Sequence, residues 1–133
     1  MHVKGKRVAM LSTGRAVIWA EEVRDILEEV YKIKPSLIEI PAIVPLDKQN
    51  LANILNGYSI IVTIEDHILS AGFGTLIENA LIMCGISKKY MHFGYESGII
   101  EHGKVEDILN KYNLLPYQIA KRISNALTTK SNP

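Results

Sequence analysis

Tyr58-Ser59-Ile60-Ile61-Val62-Thr63-Ile64-Glu65 (YSIIVTIE) is the strongest strand signal in this chain. Its residues are mostly β-branched and almost continuously apolar, as expected of a strand covered on both faces rather than one that alternates between core and water. Upstream, Asp47 is placed to cap a helix from Lys48 to Leu55 that Asn56-Gly57 ends. Downstream, the loop Ser70-Ala71-Gly72-Phe73-Gly74 leads into an apolar helix from Thr75 to Cys84, closed by Gly85, and Tyr90 to Phe93 is a further strand candidate. Toward the N-terminus, Arg7 to Leu11 (RVAML) is a short apolar run stopped by Ser12-Thr13-Gly14. From Ala16 to Lys32, Ala16, Trp19, Ala20, Val23, Ile26, Leu27, Val30 and Tyr31 recur at spacings of three and four, opposite a charged face of Glu22, Arg24, Asp25, Glu28 and Glu29. That is the pattern of an amphipathic helix. Pro35 to Pro41 encloses a second short strand, because prolines cannot sit inside a sheet ladder. Gly94 to Gly103 reads as irregular, followed by helices at Val105 to Tyr112 and Pro116 to Leu127. Strands separated by helices of this length imply βαβ units. The expected fold is α/β, three-layer α/β/α, with a mostly parallel sheet of four to five strands in one domain over 1–133 and loose ends at 1–6 and 128–133.

Composition narrows the partners. The 133 residues are 47% apolar and 22% charged, ordinary for a globular chain, and the formal net charge is +1. Lys4, Lys6 and Arg7, and Lys121 and Arg122, are short basic groups on a mixed background. Nucleic acid is not an expected partner, since phosphate-backbone affinity needs clustered Lys and Arg. No apolar run approaches the ~20 residues of a bilayer span, and there is no signal-peptide pattern, so a cytoplasmic location without membrane contact is expected. Cys84 is the single cysteine and lies in the apolar stretch Ala80-Leu81-Ile82-Met83, where it reads as a small core residue rather than a nucleophile.

Three loops after strands carry the groups that chemistry could use, because ligands collect beyond the carboxyl ends of parallel strands. Ser12-Thr13-Gly14-Arg15 places two hydroxyls and an arginine at a helix start, a candidate anion site that also reads as an ordinary capped turn. It lacks Walker or GxGxxG spacing. Glu65, Asp66 and His67, then Gly72, Phe73 and Gly74, form the second loop. Two carboxylates beside an imidazole suit acid–base work or metal binding. Yet three adjacent residues of an extended segment point in alternate directions, and Glu65 is better used on backbone N–H groups of the glycine loop. The third loop is Glu101-His102-Gly103, whose histidine suits a base, a ligand or a loop anchor. No metal site is assigned.

These loops in this order resemble the C-terminal domain of the transketolase family of thiamine-diphosphate-dependent enzymes. Val62-Thr63-Ile64-Glu65-Asp66-His67 with Ala71-Gly72-Phe73-Gly74-Thr75 is similar to the family's "VTVEEH…GGFGS", and Leu37 to Asp47 (LIEIPAIVPLD) to its "VVDLRTIKPLD". Gly94 to Gly103 (GYESGIIEHG) resembles the "GLPDRFIEHG" of 1-deoxy-D-xylulose-5-phosphate synthases; Leu11-Ser12-Thr13-Gly14 resembles the family's "(A/S)TG" turn. Lys111 to Ala120 is similar to "…YGLTAEGIA". The resemblance runs from about Arg7 to Leu127. Departures are Ala71 for the first loop glycine, Glu96-Ser97 for Pro-Asp, and Pro41 and Val44 for an arginine and a lysine.

The resemblance implies a five-stranded mixed sheet whose antiparallel edge strand lies upstream of the Arg7 to Leu11 strand. With only Met1 to Lys6 there, that strand is expected to be missing or a stub. It implies that thiamine diphosphate and Mg²⁺ belong to the cofactor-binding and middle domains of the parent enzyme, on the same or a separate chain. This domain then binds no cofactor and carries no catalytic residue. Its expected role is assembly in a homo- or hetero-oligomer, or regulation. Two alternatives stand beside it: a phosphate- or small-ligand-binding regulatory module built on Ser12, Thr13, Gly14 and the Gly72-Phe73-Gly74 loop, and a small enzyme using Glu65, His67 and His102.

Overall fold

The structure, a computed structural model, describes residues 7–41, 46–68, 72–95 and 105–128. Its elements run β1 (Val8–Ser12), α1 (Ala16–Val30), β2 (Ser36–Glu39), α2 (Lys48–Leu55), β3 (Ile60–Ile68), α3 (Phe73–Met83), β4 (Lys89–Tyr95), α4 (Val105–Lys111) and α5 (Pro116–Thr128). The four strands form one parallel sheet in the order β2-β1-β3-β4. The expectation that the antiparallel edge strand is missing or a stub falls on residues 1–6, outside the described residues.

Alternation along the strands divides the core in two. Val8 and Met10 of β1 and Ile60, Val62 and Ile64 of β3 point to one face, where Ala20, Val23 and Leu27 of α1 and Ile119, Ala120, Ile123 and Leu127 of α5 cover them. Ala9, Leu11 and Ile61 point to the other, under Leu51, Ala52 and Leu55 of α2 and Ile77 and Leu81 of α3. The central strands are therefore buried on both sides, which is why β1 and β3 read as nearly continuous apolar runs. Cys84 packs, partly buried, against the second cluster.

The helix ends follow from local chemistry. Asp47 caps α2 by accepting from the Asn50 N–H at 3.1 Å. At the end of α3, Gly85 takes φ 79°, Gly85 N–H donates to the Ile82 carbonyl and Ile86 N–H to that of Leu81. This is the paired-bond ending that wants a left-handed residue after the cap. Asn113, at φ 60°, makes the same ending for α4, its N–H donating to the Asn110 carbonyl and the Leu114 N–H to that of Leu109. Lys32, at φ 58°, stops α1 two residues short of the expected end at Lys32 itself.

The chain winds from β1 outward to β2, then returns to lay β3 on the other side of β1. The switch point of the sheet is therefore between the carboxyl ends of β1 and β3, the position where parallel sheets gather ligands. Ser12 and Glu65 stand there.

Candidate functional site

Thr63 and Glu65 are two residues apart on β3, so they share the face that Ile61 presents to α3. Both are fully buried. A buried carboxylate is costly unless its lone pairs are filled. Here they are: Glu65 Oε1 accepts the Phe73 N–H and Oε2 the Gly74 N–H, each at 2.7 Å. These are first-turn N–H groups of α3, which have no partner inside the helix, and they sit at its positive end. Gly72, the N-cap residue, has no side chain to cap with. Glu65 does that work from a neighbouring strand, and α3 accordingly starts at Phe73 rather than at the expected Thr75. The glycine loop's donors are spent on the chain's own carboxylate, so they are not available to an external anion.

Gly74 is where the sheet and α3 come closest. A Cβ built there would stand 2.6 Å from His92 Nδ1 and from Thr63 Oγ1, and 2.9 Å from Glu65 Oε2. His92, on β4 in register with Thr63, bridges two elements: Nδ1 is 2.6 Å from Thr63 Oγ1 and Nε2 is 2.7 Å from Glu78 Oε1 of α3. An ionised Glu78 only accepts, so Nε2 carries a proton and, in the neutral ring, Nδ1 accepts from the Thr63 hydroxyl. Tyr90 stacks on this ring with centroids 5.7 Å apart. Burial first, and then the Glu78 charge, push the Tyr90 hydroxyl's ionisation up.

A hydroxyl, an imidazole and a carboxylate in that order are the parts of an activated nucleophile. Access decides against that use. Thr63 is wholly buried and the Gly74 backbone covers its hydroxyl, so no substrate atom can approach it. The cluster ties β3, β4 and α3 together.

At the end of β1, the Ser12 hydroxyl donates to the Ile64 carbonyl at 2.7 Å. This bond joins the two strands across the switch point. Thr13 is buried, its hydroxyl without a partner among the described residues. Gly14 takes φ 60° in an exposed turn, and Arg15 stands at the N-cap position of α1 with no side-chain capping bond. Of the sequence candidates, the structure thus joins Glu65 to Gly72, Phe73 and Gly74, and joins Ser12 to β3. The His67 side chain and all of Ala71, Glu101, His102 and Gly103 lie outside the described residues. Among the described residues there is no group of three or more His, Cys, Asp or Glu able to hold a metal ion, and no helix long and apolar enough to cross a membrane.

Sequence reasoning passed over Thr63, Glu78 and His92. The signal was present in part: Thr63 is the polar residue inside an apolar run and lies two positions before Glu65. Its pairing with His92 needs the strand register, which no local pattern supplies.

The sequence model described as "Transketolase, C-terminal domain" matches residues 1–119. The chain is 31% identical over 121 residues, 91% of its length, to the 1-deoxy-D-xylulose-5-phosphate synthase of Syntrophomonas wolfei, and 34% identical over 133 residues, 98% of its length, to that of Dehalococcoides mccartyi. It spans only 19% and 20% of those two proteins. Among solved structures, a chain described as "Split gene transketolase, inactive beta4 tetramer" superposes with a TM-score of 0.80 at 22% identity, over 96% of this chain and 41% of that one.

Proposed function

Because the chain belongs to the transketolase C-terminal-domain family, we propose that it is the assembly domain of a thiamine-diphosphate-dependent transferase of the cytoplasm, such as the 1-deoxy-D-xylulose-5-phosphate synthases it is similar to. In this reading the reaction is ketol or acyl transfer. Its cofactor and metal are held by cofactor-binding and middle domains, on the same or a separate polypeptide, in a homo- or hetero-oligomer.

The observation that carries the reading is the internal use of Glu65, Ser12, Thr63, His92 and Glu78 around the carboxyl ends of β1, β3 and β4, where the buried Thr13 hydroxyl is the exception among the described residues. Glu65 is filled by two N–H groups, Ser12 is bonded to Ile64, and Thr63, His92 and Glu78 are bonded to one another. A site that turned over substrate would keep donors or acceptors facing a cleft. The described residues also do not fit a magnesium diphosphate, which needs several oxygen ligands around the metal. The buried carboxylate at this end has both oxygens engaged. No step of the reaction is therefore assigned to this chain.

Calorimetric titration of the chain with thiamine diphosphate and Mg²⁺ is expected to give no saturable heat. Binding at about 1–10 μM, worth roughly 7–8 kcal/mol, would overturn the reading.

A further inference from the structure

The outer face formed by α1 and α5 is divided by charge. α1 carries five carboxylates, Glu21, Glu22, Asp25, Glu28 and Glu29, against one arginine, Arg24, which pairs with Asp25 at 3.3 Å. α5 carries Lys121 and Arg122 and no acid. Helix stability does not account for the acids of α1. Asp25 lies four residues from both Glu21 and Glu29, a spacing at which carboxylates on one helix repel. Glu28 and Glu29 stand in the last turn, at the negative end of the helix dipole, and the first turn has no acid to meet the positive end. Glu21, Glu22, Glu29 and Lys121 are exposed, and among the described residues none of them has an ion-pair partner.

The two helices lie side by side. Ala20, Val23 and Leu27 of α1 and Ile119, Ile123 and Leu127 of α5 bury stripes in the same cluster along the length of each. Their starts are level, since the Trp19 indole N–H donates to the Leu114 carbonyl at 3.0 Å. Large apolar side chains stand outward near those starts: Ile18 of α1 is 69% exposed and Tyr117 of α5 57%. About one turn on from each comes a charge, of opposite sign on the two helices. Glu22 follows Ile18 by four residues, and Lys121 follows Tyr117 by four. A two-fold axis along the seam between the helices lays α1 of one copy on α5 of the other, and the reverse, as an isologous contact does. It sets Ile18 against Tyr117 and Glu22 against Lys121, each of them twice.

We propose that this face pairs two copies of the chain, α1 of each on α5 of the other, with apolar contacts at the helix starts and the charges fixing the register. The occupant is a second copy because the face of one copy carries both halves of the complement, acid and base, in matched order. The pairing goes beyond the role in a parent enzyme and is measured on this chain alone, so the two can fail separately.

The test is sedimentation equilibrium of the full chain up to roughly 200 μM, in dilute buffer and in about 1 M sodium chloride, which screens exposed charges beyond ~3 Å. A reversible dimer that weakens in high salt is expected. Glu22→Lys and Lys121→Glu each turn two attractive contacts into repulsive ones, and each should weaken the dimer at least about thirtyfold. An equimolar mixture of these two variants should dimerise about as tightly as the parent, because a mixed pair restores opposite charges at both contacts. Ile18→Ser should weaken the dimer about tenfold without altering charge, and serves if a charge variant does not fold. Met83→Ser, a change at an exposed residue of α3 on the opposite face, should leave the dimer unchanged. The proposal is overturned by a chain that stays monomeric throughout, by a dimer indifferent to the Lys121 and Ile18 variants or weakened by Met83→Ser, or by a mixture of folded charge variants that associates no better than either alone.

Discussion

Replacing Gly74 by alanine is expected to destabilise the domain by about 3 kcal/mol, against the gain of up to ~1 kcal/mol that the same change brings to an ordinary helix position. The new methyl carbon has nowhere to go. It would meet His92 Nδ1 and Thr63 Oγ1 at 2.6 Å and Glu65 Oε2 at 2.9 Å. None of the three is the loose end of a flexible side chain. His92 is held at both ring nitrogens, Thr63 is held by His92, and Glu65 by two backbone N–H groups. Relief therefore breaks a buried hydrogen bond, and a bond to a charged group contributes about 1.5–3 kcal/mol. Overpacking of a dense interior adds about 1–3 kcal/mol of its own, and the two overlap because moving one group relieves the other. In a domain of this size the expected fall in melting temperature is roughly 10 °C. Urea denaturation of the two proteins measures it. A midpoint equal to or above that of the parent would show that α3 does not approach the sheet as described. A Thr63→Ala/Gly74→Ala pair gives a second reading, because removing the hydroxyl opens space for the methyl. The double variant should lose less than the sum of the singles.

The second large effect is expected at Glu65. Alanine there leaves the Phe73 and Gly74 N–H groups buried without acceptors, and removes the negative charge at the start of α3. The expected cost is about 3–5 kcal/mol, the range for breaking a buried charged contact by removing one partner. Glutamine sharpens the test. Its amide oxygen can satisfy one N–H, but its NH₂ group then faces the other, donor against donor. A loss of about 2 kcal/mol is expected even though the side-chain shape is kept. Hydrogen exchange should locate the damage, with the first-turn amides of α3 accelerating by roughly a hundredfold. Wild-type stability in Glu65→Gln would mean that the carboxylate charge does not hold this loop.

Much of the fold was legible in the sequence because the elements that define it are locally coded. The β-branched run of β3 announces a strand covered on both sides. Asp47 starts α2 and Gly85 ends α3 through interactions within a few residues of each. The start of α3 was misplaced for the opposite reason: its cap comes from Glu65, eight residues upstream on a strand. A proposed bond between Glu65 and the glycine loop still follows from proximity in sequence. The His92 bridge does not, since Thr63 and His92 are 29 residues apart and meet only through the register of β3 with β4.

The central claim, that this domain completes a thiamine-dependent enzyme by assembly rather than by chemistry, is tested most directly in a chimaera. The Dehalococcoides mccartyi synthase would be made without the fifth of its length that this chain matches, and again with this chain in that place. Light scattering after gel filtration, with synthase turnover read on the same fractions, is the measurement. The account predicts that the truncated enzyme fails to form its oligomer and is inactive, and that this chain restores both. A chimaera carrying the folded domain that still fails to assemble, or a truncated enzyme that assembles and turns over without it, would contradict the account.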